Sequence, residues 1–336
     1  MLLIPKEATR SFSSSIESVF KDNPKVKLIY PLKSDFYNQD KHQVIIDNLD
    51  INGQDFVILD HGGYFCDLAS SLYEKYKEHF LGITEMTANG HYRYQKVPLK
   101  VPLQSIAETE LKRSGDFSAS QNIVHYTERA LRDRFSLRLY GSQLLNAAVI
   151  GLGNLGEGIV DELNRLSGNA PYVYDIDPVK VVRLGANSIR YSSKEQVLQQ
   201  CNLLFLCSGN ISISEEEFGN ISSEKYLSTV TSADDELELD GLVARGVLTL
   251  VEKCELVSTY KNRRGVKIHL IAHGSAVNTL SPMSMADETV QLFLAAHIQA
   301  AHNIASYLYT QRDCGIVELS KADESRIAAT WLRWFS

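Results

Sequence analysis

The sequence has few cysteines, no long apolar run and no excess of basic residues. Its five cysteines are scattered and include no C-x-x-C pair, which argues against a zinc site or a disulfide framework and favours a reducing compartment. No apolar run is long enough to span a membrane, and the first apolar stretch is too short for a signal peptide. The net charge of -7 leaves no basic footprint for nucleic acid. We therefore expect a cytoplasmic protein that binds no metal, membrane or nucleic acid.

A glycine-rich stretch in the middle of the chain carries the strongest signal. An apolar run at 147–150 predicts a buried strand, and three glycines at G-x-G-x-x-G spacing follow it, from Gly151 to Gly156. A helical pattern comes next, and a second apolar run at 172–174 ends in Asp175. Strand, tight turn, helix, strand and acid in this order are what a dinucleotide-binding unit requires.

Each residue type in this stretch has a physical reason. Gly151 can adopt the positive φ of a tight turn, Gly153 lets the backbone approach a pyrophosphate, and Gly156 lets the helix pack closely on the strand. The helix N-terminus attracts the phosphates. Asp175 can accept hydrogen bonds from the ribose hydroxyls and repels a 2′-phosphate, which favours NAD over NADP. A purely structural glycine turn is the alternative.

Two further strand ends carry polar residues that could form a site. The apolar run before Asp60 and His61 predicts a strand, and ligands of open α/β sheets lie at the carboxyl ends of strands. Asp60 could instead cap the following helix. A second strand ends in the segment Thr84 to His91, which includes Glu85 and whose polar side chains could bind a ligand or could be ordinary loop residues.

Other segments give weaker predictions. A strand is expected at 44–46, an extended edge segment at 97–103, a helix at 118–135 capped by Ser118 or Ser120, and a long amphipathic helix at 287–309. The acidic run 234–236 indicates solvated surface acids, with a metal site as the alternative.

Several motifs in order, from about Asp55 to about Tyr309, resemble those of the S-adenosylhomocysteine hydrolase family. The segment Ile58–Gly63 is similar to that family's I-L-D-D-G-G, and Gly82–Gly90 is similar to its G-x-x-E-E-T-T-T-G. The remaining matches are Gly151–Gly158 to G-x-G-x-x-G-x-G, Tyr174–Pro178 to E-x-D-P, Ser208–Asn210 to T-G-N, and Ala272–Asn278 to A-E-G-x-x-V-N.

The resemblance implies an α/β fold with two Rossmann-like domains. An NAD-binding doubly wound parallel sheet would be inserted into a split substrate domain, with the substrate domain at 1–140, the NAD-binding domain at 141–279, and a return to the substrate domain with C-terminal helices at 280–336. It also implies that Thr87 and Asn89 reach the NAD and that Asn278 holds the nicotinamide amide. The cofactor-binding residues predicted from the motifs and the resemblance are Gly151, Gly153, Asn154, Leu155, Gly156, Asp175, Ile176, Ser208, Gly209, Asn210, Thr87, Asn89 and Asn278.

The departures from the family lie in the chemical half of the molecule. His61 stands where the family has a catalytic Asp, and Met86 stands where it has a catalytic Glu. A methionine neither binds a ribose hydroxyl nor moves a proton. The family's G-H-F-D-N-E is replaced at 232–236 without the histidine, and its H-P-S-F becomes Ser281–Ser284. We therefore do not predict hydrolysis of S-adenosylhomocysteine.

The first functional hypothesis is an NAD-dependent oxidoreductase, or an NAD-assisted hydrolase or lyase, that oxidises a secondary alcohol of a small polar, nucleoside-like substrate. His61 would be the general base, with Asp60, Glu85 and His91 orienting the substrate or sharing proton transfer. The second is a catalytically silent NAD-binding regulatory or sensor protein, which the loss of the family's acids favours.

A third hypothesis is a 2-hydroxy-acid dehydrogenase, a class that usually needs an arginine and a late histidine–acid pair. Arg245 and His273 are the candidates for these roles, although their spacing is unpersuasive. Trp331 and Trp334 near the C-terminus favour a homo-oligomer, a dimer or a tetramer.

Overall fold

The computed structural model of this protein contains two compact units. Unit 1 comprises Met1–Arg113 and Glu288–Ser336, and unit 2 comprises Ser114–Asp287. The structure describes residues 2–4, 14–31, 33–49, 51, 53–139, 146–167, 170–185, 189–231, 233–277, 287–306 and 314–335. Among these residues, no helix is both long and apolar enough to cross a bilayer.

The first part of unit 1 alternates short strands and helices. Its elements are β1 (Leu2–Leu3), α1 (Ser14–Lys21), β2 (Lys27–Leu28), α2 (Lys33–Phe36), α3 (Gln39–Asn48), β3 (Phe56–Asp60), α4 (Ala69–Tyr76), β4 (Phe80–Glu85), α5 (Ala88–Tyr94) and β5 (Pro102–Ser105). Side-chain caps fix two helix starts: Asn38 accepts from Asp40 N at α3, and Thr87 accepts from Gly90 N at α5.

Unit 2 contains the following elements, the first of which begins in unit 1: α6 (Glu110–Phe135), β6 (Ala147–Ile150), α7 (Asn154–Ser167), β7 (Tyr172–Tyr174), α8 (Pro178–Arg183), β8 (Arg190–Tyr191), α9 (Lys194–Gln200), β9 (Leu203–Leu206), α10 (Glu215–Asn220), β10 (Lys225–Thr229), α11 (Ala233–Leu237), α12 (Leu239–Ala244), β11 (Leu248–Lys253), β12 (Val257–Asn262) and β13 (Lys267–Ile271). Local chemistry sets several starts, because Ser193 and Ser214 form capping boxes and Asp177 caps α8, where Pro178 is the first residue.

The sheet of unit 2 has the order β11-β12-β13-β10-β9-β6-β7-β8. The strands from β13 to β8 run parallel, whereas β12 is antiparallel to both β11 and β13. From β6 the chain adds β7 and β8 on one side and then β9 and β10 on the other. The strand order therefore reverses between β6 and β9, and ligands of doubly wound sheets bind at such a switch point.

The chain returns to unit 1 through α13 (Asp287–Ala305), β14 (Gly315–Glu318) and α14 (Lys321–Phe335). The unit 1 sheet has the order β14-β5-β4-β3, and all of its neighbouring strands are parallel. The carboxyl ends of β3 and β4 therefore lie side by side, with Asp60 paired in register with Glu85.

Buried aliphatic and aromatic side chains cover the sheets of both units. In unit 1 the core includes Phe36, Leu72 and Ile83. In unit 2 one cluster joins Ile123 and Leu131 of α6 to strand and helix residues, and a second contains the other side chains of the same strands. Each fully buried Leu or Ile contributes about 1.5–3 kcal/mol.

The structure confirms the α/β class, the βαβ order around the glycine stretch and the long helix near residue 290. The expected strand at 44–46 is wrong, since these residues lie within α3, where Ile45 and Ile46 face the core. The expected edge segment at 97–103 is also wrong where it overlaps β5, because β5 pairs with strands on both sides.

The helix expected at 118–135 exists but begins at Glu110, so Ser118 and Ser120 are not its cap. Ser120 Oγ instead donates to the carbonyls of Asp116 and Leu155. The expected domain boundaries at 140/141 and 279/280 differ from the divisions after residues 113 and 287, because most of α6 packs in unit 2.

Candidate nucleotide and substrate sites

The glycine loop of unit 2 has the form of a phosphate cradle. Gly151 has a φ of 95°, and a Cβ there would lie 2.6 Å from Ser208 N. At Gly156 a Cβ would lie 2.0 Å from the Gly151 carbonyl oxygen, so only glycine permits this approach of α7 to the strand. No atom lies within 4 Å of a Cβ built on Gly153, which leaves the space that a pyrophosphate needs.

Asp175 follows β7 and lies beside this loop. One carboxylate oxygen accepts from Leu152 N at 2.6 Å, and the other accepts from Asp177 N at 2.8 Å. A carboxylate has about four acceptor positions, so two of them are available for ribose hydroxyls. Ile176 beside it is 90% exposed, which makes it an apolar surface that a planar base could cover.

The third part of the nucleotide site is the loop that follows β9. Gly209 N and Ser208 N donate to the two oxygens of Glu236, at 2.8 and 3.3 Å. Ser208 Oγ donates to the carbonyl of Asn210 at 2.6 Å, which holds the loop as a compact turn. This loop adjoins Gly151 at the switch point of the sheet.

These observations fit NAD. The free volume at Gly153 and the N-terminus of α7 suit the pyrophosphate, and Asp175 suits an unphosphorylated ribose. The loop Ser208–Asn210 would flank the nicotinamide half. Asn154 is fixed beside the cradle, since its side-chain nitrogen lies 3.3 Å from Asp116 Oδ2, and Leu155 packs against the core.

In unit 1, Asp60 organises the loop that follows β3. Its carboxylate accepts from the backbone nitrogens of His61, Tyr64 and Phe65, at 2.7, 3.3 and 3.0 Å, and from Tyr94 Oη at 2.6 Å. Asp60 is buried, and burial raises its pKa against these hydrogen bonds. The carboxylate therefore shapes the loop and is saturated by it.

Glu85 plays the equivalent part at the end of β4. Its carboxylate accepts from Gly62 N, Gly63 N, Thr87 N and Thr87 Oγ1 at 2.6 to 3.1 Å. Burial raises the pKa of Glu85 to about 7, and the neighbouring Asp60 adds to the rise. A Cβ on Gly90 would lie 2.2 Å from this carboxyl group, so glycine is required there.

His61 and Met86 are the residues that follow these two acids. His61 is exposed, and its backbone is fixed through Asp60. Met86 is buried, with 5% of its surface exposed. The histidine can therefore meet a ligand from solvent, whereas the methionine supplies only apolar packing.

His91 is buried and uses both ring nitrogens. The Gln95 amide donates to Nε2 at 2.9 Å, so Nδ1 carries the proton and donates to Ser105 Oγ, also at 2.9 Å. His297 is similar: its Nε2 lies 2.5 Å from Thr84 Oγ1, and burial lowers its pKa to about 4. Both contacts are typical of structural histidines.

The predicted site residues thus fall into two sets within the two units. Unit 2 contains the glycine loop, Asp175 and the Ser208–Asn210 loop. Unit 1 contains the strand-end residues together with Thr87 and Asn89, of which Thr87 also caps α5. Asn278 lies outside the described residues. The candidates for a 2-hydroxy-acid site have other contacts, because Arg245 pairs with Glu215 and Glu238, and His273 bonds Ser258 and a carbonyl.

Two residues of the sites were missed by sequence reasoning. Glu236 was expected to be a solvated surface acid, and this is wrong because it is fully buried against the Ser208 loop. Its position at the end of a strand was the signal that could have shown this. Tyr94, the hydrogen-bond partner of Asp60, lies on the helix after the next strand, and no local pattern marks it. Among the described residues, no group of three His, Cys, Asp or Glu side chains could hold a metal ion.

Comparison with known proteins agrees with the nucleotide site. Residues 139–283 match the family model of the NAD-binding domain of S-adenosyl-L-homocysteine hydrolase. S-inosyl-L-homocysteine hydrolase from Methanopyrus kandleri is 20% identical over 279 residues, which is 81% of this chain and 64% of that protein. The chain therefore spans less than two thirds of that relative's length. The A chain of dipicolinate synthase from Bacillus halodurans aligns with a TM-score of 0.34 and 13% identity, over 58% of this chain and 87% of that one.

Proposed function

We propose that this chain, a divergent relative of the S-adenosyl-L-homocysteine hydrolase family with NAD as its cofactor, oxidises a secondary alcohol of a small ribonucleoside-like substrate. In this proposal unit 2 holds the cofactor and unit 1 binds the substrate. The observation that carries it is the exposed His61 at the carboxyl end of β3, on a loop whose backbone two buried acids fix.

His61 would act as the general base. An imidazole can accept a proton near neutral pH, and the adjacent Asp60 holds the His61 backbone in place without reaching into solvent. NAD, when bound, supplies the acceptor for the hydride that leaves the alcohol carbon. Glu85 would support the reaction by fixing Gly62, Gly63 and Thr87 rather than by touching the substrate.

The nucleoside class rests on the curated relative. Its name states that it hydrolyses S-inosyl-L-homocysteine, which contains a ribose with secondary alcohols. The family acids that this chain has replaced with His61 and Met86 argue for a different use of such a substrate than hydrolysis of S-adenosylhomocysteine. We infer an oxidation that begins at a ribose hydroxyl.

A substrate panel tests this function. NAD-loaded protein is mixed with adenosine, inosine and their homocysteine thioethers, and the near-ultraviolet absorbance of NADH is followed. We expect absorbance to appear with at least one of them and not with the matching dideoxynucleoside, which lacks the secondary alcohols. Absence of NADH with every nucleoside would refute the proposal.

A silent NAD-binding protein is the second candidate, and one observation favours it. Three of the four predicted catalytic residues, Asp60, Glu85 and His91, spend their polar atoms on contacts within unit 1. Tight NAD binding by calorimetry, combined with an empty result in the nucleoside panel, would select this candidate.

A further inference from the structure

Glu236 is a buried carboxylate enclosed by hydrogen-bond donors. It lies in the short helix α11, directly after β10, and none of its surface is exposed. One oxygen accepts from Gly209 N at 2.8 Å and from Thr231 Oγ1 at 3.1 Å. The other accepts from Ser208 N at 3.3 Å, Ser208 Oγ at 3.0 Å and Ser212 Oγ at 2.5 Å.

The chemistry of these contacts requires a negative charge. A buried carboxylate is costly unless hydrogen bonds satisfy its oxygens, and here five donors do so. Burial raises the pKa of Glu236, and the hydrogen bonds from Ser212, Gly209 and Ser208 oppose that rise. Hydrogen bonds to a charged acceptor are about twice as strong as neutral ones, so this carboxylate is a firm anchor.

The donors come from the two loops at the carboxyl ends of β9 and β10. Ser208 and Gly209 belong to the loop that borders the glycine cradle, where a Cβ on Gly151 would lie 2.6 Å from Ser208 N. Gly209 has a φ of 66°, a conformation that needs an external constraint to persist in one form. Ser212 N also donates to the Glu236 carbonyl at 2.7 Å, so backbone and side chain hold the same loop.

We propose that Glu236 is a positioning residue that fixes the Ser208–Asn210 loop in the form that receives the nicotinamide half of NAD. The inference rests on the proposed function only in so far as NAD must bind to unit 2. Glu236 itself contacts no ligand in this account. It acts through Ser208 and Gly209, whose backbone it orients.

The experiment compares two ligands that differ in the nicotinamide alone. Calorimetry gives the dissociation constants of NAD and of ADP-ribose for the wild-type protein and for Glu236→Ala and Glu236→Gln. We expect Glu236→Ala to weaken NAD binding about 10-fold or more and to leave ADP-ribose binding within about twofold. Glu236→Gln keeps one acceptor oxygen and should lie between wild type and alanine. Glu238→Gln is the control, because it removes an exposed acid of the same segment that pairs with Arg245.

The outcomes separate the inference from the proposed function. Equal losses for both ligands, or unchanged NAD binding in both variants, would overturn the role of Glu236. If Glu236→Ala fails to fold, Glu236→Gln decides, since it preserves the shape of the side chain. A wild-type protein that binds ADP-ribose and NAD in no measurable amount would refute the proposed function itself.

Discussion

At the scale of single residues, the two strand-end acids and the exposed histidine divide the work in unit 1. Asp60 and Glu85 bind backbone nitrogens of the loops around them, whereas His61 faces solvent. A sequence shows that such residues lie at strand ends but does not show which of their atoms are already bonded. The burial of the acids and the exposure of the histidine are therefore what the structure adds.

Replacing His61 with Ala should lower the turnover of the nucleoside that the wild-type protein oxidises by about 100-fold or more, as expected for loss of a general base. NAD binding should stay within about twofold, since its residues lie in unit 2. Steady-state kinetics and calorimetry measure the two quantities. His79→Ala, which removes an exposed histidine paired with Asp55, is the control. Unchanged turnover in His61→Ala would remove this residue from the mechanism.

Gly153 and Gly156 offer a matched pair of substitutions. Gly153→Ala meets no atom within 4 Å, so thermal stability should be unchanged or slightly raised, while NAD binding weakens about 10-fold or more because the Cβ occupies the phosphate space. Gly156→Ala places a Cβ 2.0 Å from the Gly151 carbonyl oxygen and should cost roughly 3 kcal/mol of unfolding free energy.

Urea unfolding and calorimetry on both glycine variants test this contrast. A Gly153→Ala protein that binds NAD as wild type does would contradict the cradle. A fully stable Gly156→Ala protein would contradict the close approach of α7 to the loop.

At the scale of elements, the long helix α6 begins at an unusual cap. Thr109 Oγ1 accepts from Lys112 N, while Glu324 of α14 accepts from Glu110 N and Leu111 N at 2.9 and 3.4 Å. A carboxylate at a helix N-terminus satisfies orphan nitrogens and complements the helix dipole. This contact joins the first helix turn to the last helix of unit 1.

Glu324→Ala should therefore reduce the unfolding free energy by about 1–2 kcal/mol, measured by urea denaturation. Lys321→Ala is the comparison, because it removes only the exposed partner of Glu324 and should cost less than about 0.5 kcal/mol. Equal effects of the two variants would show that the exposed ion pair, rather than the helix cap, carries the stability.

The paired ends of β3 and β4 predict a pH dependence of stability. The pKa of Glu85 is raised to about 7 from 4.5, so its contribution to stability is fully present below 4.5 and is lost as pH rises through 7. The shift sets an upper bound of about 3 kcal/mol. Glu85→Gln should flatten this part of the profile of unfolding free energy against pH.

Urea denaturation at several pH values between 4 and 8 tests the dependence, and slopes are compared because glutamine also alters the hydrogen bonds. Glu78→Gln, an exposed acid of the same unit, should leave the slope unchanged. The same slope in wild type and Glu85→Gln would contradict a shifted pKa at this residue.

How far the elements could be predicted depended on whether their signal was local. The βαβ order at Gly151, the capping box at Ser193 and the long helix near residue 290 follow from spacing alone. The helix α3 was mistaken for a strand at 44–46 because its apolar residues are consecutive and its cap, Asn38, lies well before them. The roles of Glu236 and Glu324 depend on residues distant in sequence, so no local pattern could show them.

At the scale of the whole molecule, each unit has a parallel sheet whose carboxyl edge carries a candidate site. Unit 2 has the NAD-binding domain and keeps the residues that this cofactor needs. Unit 1 has a changed set of strand-end residues, in which His61 and Met86 replace the acids of the resembled family. A conserved way of holding NAD with an altered substrate side is the central claim for this protein, and a homo-oligomer built on its exposed C-terminal Trp334 remains a prediction.

Hydride transfer from a ribose carbon is the most direct test of that claim. NAD-loaded protein is mixed with a nucleoside deuterated on its ribose carbons, the mixture is denatured, and the released nucleotide is analysed by mass spectrometry. We expect reduced nucleotide that carries a single deuterium, in the wild-type protein and not in His61→Ala. Bound NAD that stays oxidised and free of deuterium would contradict the account and leave a protein that binds the cofactor without using it.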